Sequence, residues 1–407
     1  MWISDNYIND FLTETNYDIR ISGNGRWIDQ KCTPDVVSII SDCIVEFVRS
    51  NPTKVEFSSL DIWHSKYAEM NIISIFKKPN VENKKARNEY DKFFQQPMEM
   101  LAYSRVLNKK KVGNRNYYCV NEKNILEYLS MSEKNTLRFL QLYIEKVLND
   151  TEIISTFNSF FCNPNQRTYD KVKETFTYTT KNYTKINGNI ECWRIFTKVL
   201  NPLAFMHNCE GTERGRISKD IISYDMLMYN RDNFRDVFAK KPRGMTREEF
   251  VAKKKINPNQ SYYVYSSSKA KKYLKNFNDT FRSGKSEVDN EDNAINMHHI
   301  FPESQFPDIC GFYENLIALT PNQHFVYAHP NGNTSKIDRA YQYKCLKCKL
   351  RNICDNFNSN CEEHIYDKDR FLKVLDIGLE TDEFEQINNF SYDGVLNIIQ
   401  KFYMDVV

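Results

Sequence analysis

Four of the chain's seven histidines, His298, His299, His324 and His329, lie within a single short stretch. Imidazole titrates near neutrality and is the commonest metal ligand, so such a cluster points to metal binding or proton transfer. The surrounding text is INMHHIFPESQFPDICGFYENLIALTPNQHFVYAHPNGNT (Ile295–Thr334). Metal-assisted hydrolysis needs ligands on one side of the reacting group and a general base on the other. His298 and His299 are neighbours. In a strand, neighbours face opposite ways, so the two cannot share one role. One can face a metal while the other faces substrate or water.

The elements that must hold these side chains can be read locally. Ala294–Phe301 is predicted as a short strand ended by Pro302. A loop follows, and Leu316–Leu319 is a second apolar strand. Thr320-Pro321-Asn322-Gln323 opens a helix, with Thr as N-cap, Pro at the first helical position and Gln closing a capping box. Pro330 and Gly332 stop that helix soon afterwards. The order is strand, loop, strand, helix.

This segment resembles the HNH, or ββα-metal, nuclease motif. HHIFP matches the first strand, Asn315 the middle asparagine and His324 the final ligand, and the interval from Asn315 to His324 is the family's usual one. The resemblance covers only the stretch Ile295–Thr334 of a 407-residue chain. It implies an α+β, mostly helical protein that hydrolyses DNA phosphodiesters, leaving a 5′ phosphate and a 3′ hydroxyl. His298, His324 and His329 would bind a divalent metal, with Mg²⁺ expected and Mn²⁺ or another divalent ion as alternatives. His299 would be the general base, and Asn315 would orient it through its other ring nitrogen. One departure stands out. His329 falls one residue later than the third histidine of colicin-type nucleases, so on an unbroken α-helix it would be rotated away. An early helix end at Pro330 would bring it back; Asn322 and Asn331 are other polar candidates.

The whole chain fits that reading. Lys and Arg number 56 against 53 Asp and Glu, and 14% of residues are aromatic, which excludes a disordered polyelectrolyte. No apolar run reaches the roughly 18 residues of a membrane span. The N-terminus lacks the pattern of a signal peptide, so the expected location is cytoplasmic. Three regions are expected: a DNA-recognition region over 1–150, a helical basic region over 151–285, and the nuclease domain with C-terminal helices over 286–407. In the first, a helix at Pro34–Val48, a strand and helix at Val55–Trp63, a helix near 84–107 and a hairpin at Arg105–Asn121 follow the order of a winged helix. Lys109, Lys110 and Lys111 of the hairpin, and Lys240, Lys241 and Arg243 of the second region, are expected to contact DNA phosphates. Between Asn230 and Arg282 stand fourteen Lys/Arg against five Asp/Glu. The size and the separate N-terminal region look most like a type II restriction endonuclease, with double-stranded DNA as partner and a homodimer on DNA as one arrangement. The alternatives are a modification-dependent endonuclease and a DNA-binding regulator with a structural metal site.

Three further patterns compete. Cys345, Cys348, Cys354 and Cys361 are the residue type for a structural Zn²⁺ site, but Tyr341–Cys354 also reads as a helix with buried thiols, which is favoured. Asp29-Gln30-Lys31 with Pro34-Asp35 invites comparison with PD-(D/E)xK nucleases, yet the order is inverted and a surface turn is favoured. GTERGRIS (Gly211–Ser218) reads as a capped turn before a helix at Lys219.

Overall fold

Long stretches with apolar residues at helical spacing dominate the chain, and short alternating runs are few. The computed structural model describes residues 3–76, 78, 81–83, 87–229, 260–329, 337–360, 363–387 and 389–404. Lys240, Lys241, Arg243 and Cys361 lie outside the described residues, as do Pro330 and Asn331. Among the described residues the protein is α+β and mostly helical, with three two-stranded antiparallel sheets. None of the helices described is long and apolar enough to cross a membrane.

The chain divides into two compact units, within Ile3–Pro258 and Asn259–Val407. Among the described residues, 3–229 of the first two expected regions cluster as one unit, and the helix at Gln260–Phe281 clusters with the second. The first unit opens with α1 (Asp5–Thr13), α2 (Ile19–Ser22) and α3 (Pro34–Ser50). Pro34 starts α3, where its missing N–H costs nothing. Twelve residues of α3 are buried, which makes it the core helix rather than a surface one. Then come α4 (Ser59–Trp63), α5 (Lys66–Phe76), α6 (Arg87–Tyr103) and the hairpin of β1 (Leu107–Val112) and β2 (Arg115–Val120). Phe57 exchanges two backbone hydrogen bonds with Tyr118, of 2.9 and 2.7 Å, and so adds a minimal third strand.

Helices α7 (Lys123–Met131) and α8 (Glu133–Asp150) pack on α3. Helices α9 (Ile154–Cys162), α10 (Gln166–Tyr183) and α11 (Asn189–Met206) follow, with the hairpin β3 (Glu210–Glu213) and β4 (Arg216–Ile221). Because α8 packs on α1 and α3 as well as on α9 and α11, the two expected regions share one core. The helix expected at Lys219 is a strand instead. Arg214 (φ 50°) and Gly215 (φ 81°) supply the two left-handed residues that a tight hairpin turn requires.

The second unit runs through α12 (Gln260–Phe281), β5 (Asn296–His299), β6 (Leu316–Leu319), a π-helix at Gln323–Ala328, then α13 (Arg339–Asn358), α14 (Lys368–Leu379) and α15 (Tyr392–Lys401). Helix α12 packs against both strands, and α13 packs on the π-helix and α15. A charged pair lies inside this unit. Lys349, fully buried, places its Nζ 2.8 Å from Glu287 Oε2 and donates to Tyr366 Oη at 3.0 Å. Asn352 Nδ2 also donates to Glu287 Oε2, at 2.9 Å. The other carboxylate oxygen accepts the Ala318 N–H of β6 at 2.9 Å, and Glu287 N–H donates to Ala318 O at 2.9 Å. Glu287 thus ties a strand of the histidine ribbon to α13.

Burial alone would raise the Glu287 carboxyl pKa, but Lys349 and Arg282 outweigh it and lower it. Lys349→Met should leave that carboxylate buried and unpaired and destabilise the second unit by about 3–5 kcal/mol. With its folded pKa depressed, Glu287 contributes its full stability above the unfolded carboxylate value of about 4.3 and loses it as pH falls through the folded value. Among the described residues the tryptophans Trp27, Trp63 and Trp193 all belong to the first unit, so hydrogen exchange over described segments of the second is the measurement to use. Wild-type protection of the segments around 287 and 349 in the variant would contradict this account.

Candidate metal centre

Register decides which histidine points where. In the β5–β6 ribbon His298 pairs with Ile317 and His299 with Leu316. Their side chains therefore leave opposite faces. The capping box expected at the next helix is present: Thr320 Oγ1 accepts from Gln323 N at 3.1 Å, and Gln323 Oε1 accepts from Thr320 N at 3.0 Å. Gln323 Oε1 also accepts from Ser286 Oγ at 2.6 Å.

The residues after the cap form a π-helix, not an α-helix. This accounts for the spacing of His329. On an α-helix a residue five positions along is turned away by about 140°. A π-helix closes its turn with i→i+5 hydrogen bonds, so residues five apart return to one face. His324 and His329 are five apart, and both meet His298. The ring centroids are 5.1 Å (His298–His324), 5.0 Å (His298–His329) and 4.9 Å (His324–His329) apart. One nitrogen from each lies within 4.8 Å of the others. The helix ends at Ala328 and His329 is its C-cap in extended backbone (φ −117°, ψ 96°), so the widened turn and the expected early end together bring His329 back. Asn322 is exposed.

The three residues fit a metal ion. His298 and His329 are buried and His324 is half-buried. His324 Nδ1 is a buried nitrogen without a hydrogen-bond partner, and such a lone pair is free to coordinate. Burial, then the neighbouring His324 and His329, push the His298 pKa down to about 2. Burial and His329 also lower that of His324. Neutral imidazole is the form that binds metals.

His299 stands apart from the triad. Its Nε2 lies 2.9 Å from the Cys310 carbonyl oxygen, which can only accept, so Nε2 carries the hydrogen and Nδ1 keeps the lone pair in the neutral ring. Burial, and then the charge of Lys271, press its pKa down to about 4. Asn315 does not orient this ring. Its two amide hydrogens go to Phe301 O (3.0 Å) and Ile309 O (3.3 Å), and its Oδ1 accepts from Phe301 N (2.8 Å). Its backbone oxygen accepts from Ile300 N at 2.8 Å. Asn315 therefore clamps the loop that carries Cys310 and acts on His299 only through it. Two glycines allow the loop to sit where it does. A Cβ on Gly311 would collide with the Ser266 side chain of α12, and one on Gly378 of α14 would enter the Phe301 ring.

The other expected residues that are described stand in surroundings of their own. Cys345, Cys348 and Cys354 all lie on α13, and nine residues of α-helix turn Cys345 and Cys354 about 180° apart, so the three cannot surround one ion. Asp29 pairs with Arg26, Lys31 with Glu89, and the Asp35 carboxylate accepts the backbone N–H of Tyr229. Lys109 is paired with Glu99 at 2.6 Å and Lys110 with Glu56 at 2.5 Å. Sequence reading missed Ser267, Lys271, Glu303 and the Cys310 carbonyl. Only the Ser267/Lys271 spacing of four could have hinted at a shared helix face. No family model matches the chain, and neither a curated protein nor a solved structure does.

Single changes of His298, His324 or His329 to Ala should each weaken Co²⁺ binding by more than about 100-fold, since even outer-shell changes cost 10–100-fold. His299→Ala should leave it within about threefold, because that ring is not a ligand. Deleting Val326 gives a sharper test. It would shorten the interval to i,i+4, which an ordinary α-helix also places on one face. Metal affinity should stay within about tenfold of wild type, with the π-turn replaced by an α-turn. A loss as large as that of His324→Ala would show that the wide turn is required for another reason.

Proposed function

We propose that this protein is a metal-dependent DNA endonuclease of HNH type, most like a type II restriction endonuclease. One observation carries the reading: a three-histidine cluster on one face of a two-stranded ribbon, with a fourth histidine on the other face whose Nδ1 lies 3.9 Å from the Glu303 carboxylate. His298, His324 and His329 would hold the ion. When bound, a divalent ion there supplies Lewis-acid stabilisation of charge on the phosphate and the leaving oxygen. Three nitrogen donors suit Zn²⁺, Co²⁺ or Ni²⁺ better than Mg²⁺, which takes oxygen ligands, so a transition metal is proposed in place of the Mg²⁺ that the resemblance implied.

His299 takes the proton of the attacking water on Nδ1. The water oxygen bonds to phosphorus, the P–O3′ bond breaks, and the 3′ oxygen picks up a proton from solvent. The Cys310 carbonyl keeps the ring in the tautomer this requires and stabilises the imidazolium once it forms. Asn315 holds the loop that supplies that carbonyl.

The first unit is the proposed DNA reader. Helix α3, the Phe57 bridge, α4 and α5, α6 and the β1–β2 hairpin follow the chain order of a winged helix, and this supports that reading. The wing is less cationic than its sequence, because Lys109 and Lys110 already have carboxylate partners.

His299→Ala should lower plasmid cleavage by about 10²–10⁴-fold, with metal and DNA binding retained. More than about a tenth of wild-type rate would remove His299 from its role. A wild-type protein that binds DNA and metal but never cuts, with any transition metal, would favour a DNA-binding regulator with a structural metal site.

Neutralising Lys109, Lys110 and Lys111 together should weaken specific and non-specific DNA alike. The slope of log affinity against log salt should fall by about one to three units, nearer one if the Glu99 and Glu56 pairs persist on DNA. An unchanged slope would take the hairpin out of the DNA interface.

A further inference from the structure

Helix α12 precedes the histidine segment and lies outside the stretch that resembles a nuclease, yet it sends two side chains to the rim of the site. Ser267 and Lys271 are one helical turn apart and share a face. Both reach Glu303, in the loop just after β5. Ser267 Oγ donates to Glu303 Oε2 at 2.8 Å, and Lys271 Nζ lies 3.9 Å from the same oxygen. That oxygen is also 3.9 Å from His299 Nδ1. One carboxylate oxygen therefore stands between the proposed base and an ammonium group. The ammonium is not used up by this contact. At 3.9 Å the pair is loose, and the Lys271 side chain keeps 40% of its exposure.

The electrostatics agree with the geometry. The charge of Lys271 is felt at His298, His299 and His324, lowering the pKa of each. An anion that approaches both the triad and His299 therefore enters the field of this ammonium. In a phosphodiester hydrolysis, charge builds on the non-bridging phosphate oxygens in the transition state, and a fixed cation there is worth more than in bulk water.

We infer that Lys271 is a catalytic residue that binds a non-bridging oxygen of the scissile phosphate, and that Glu303, itself fixed by Ser267, is the positioning residue that holds Lys271 over the site. The inference rests on the phosphodiesterase reading above and deepens it. It makes α12 a working part of the nuclease unit rather than a connector. It also gives the loop carboxylate a role, which is to hold the lysine at rest and then release it to the phosphate.

The test uses the full chain loaded with Co²⁺, as wild type, Lys271→Ala, Lys271→Arg and Glu303→Gln. Two readouts are taken: steady-state cleavage of supercoiled plasmid, and orthophosphate binding followed through the Co²⁺ absorption spectrum. Lys271→Ala should lower kcat on the order of 100-fold with KM changed less than about threefold, the usual cost of one transition-state donor. Lys271→Arg should recover to within about tenfold of wild type, because the charge is kept and only its reach differs. Glu303→Gln should fall between the two. Phosphate affinity should drop about tenfold in Lys271→Ala, with Co²⁺ affinity unchanged, since Lys271 is not a ligand. Lys271→Ala cutting within about threefold of wild type would overturn the inference, as would Lys271→Arg behaving like Lys271→Ala. If wild type does not cut DNA at all, the endonuclease reading falls. Lys271 is then judged by phosphate alone: weaker binding in Lys271→Ala sustains its role as the anion ligand, and equal binding overturns it.

Discussion

The side-chain period of a β-ribbon is two, and everything at the histidine site follows from which register the β5–β6 pair adopts. A slip of one residue would exchange the faces of His298 and His299 and send the proposed base into the ligand cluster. Two strands of four residues cannot hold their register alone. Here it is pinned at both ends. Asn315 clamps the Phe301 backbone at one end, and Glu287 clamps Ala318 at the other. Both are polar groups buried where only hydrogen-bonded pairing makes burial tolerable. Their partners are backbone atoms, so they specify alignment rather than simply adding stability.

Glu287 could not do this without Lys349. A lone carboxylate in that interior would be protonated or would disrupt the packing, and the pairing with Lys349, Asn352 and Arg282 keeps it charged. The chain thus links the histidine ribbon to α13 through one buried ion pair. The π-helix is a second exception to regular structure in the same unit. Such turns are rare and usually less favourable than α-turns. This one is held by the Thr320/Gln323 box at its start, and at its end Ala328 O accepts the Asp338 N–H at 3.0 Å. The irregular helix and the buried charges sit together around the one cluster of donors, among the described residues, that could bind an ion.

In the first unit the polar groups follow a different logic. Basic residues that look like a phosphate-binding run in the sequence are matched by carboxylates in space: Lys109 by Glu99 and Lys110 by Glu56. Exposed pairs of this kind are worth little to stability, so they leave lysines that can exchange a carboxylate for a phosphate. A charge count along the chain overstates how cationic such a face is.

The sequence alone determined the local features. The capping box at Thr320 and Gln323, the strand Leu316–Leu319, the helix start at Pro34 and the hairpin around Gly113 are all set by residues near one another in the chain, and each is legible there. Opposite faces for His298 and His299 follow from strand geometry in the same way. Only the tertiary structure decided the rest. The return of His329 depends on an early helix end, which the sequence signalled, and on a wide helical turn, for which the sequence carries no local signal. The tautomer of His299 depends on a carbonyl eleven residues away, and the function of Asn315 on the loop it encloses. The merging of two expected regions into one unit depends on α8 packing on both. The placing of Lys271 beside Glu303 depends on α12 crossing the ribbon. In each case the contact is between residues whose neighbours in sequence do not constrain it, and long-range packing, not local propensity, chooses among the arrangements the chain could adopt.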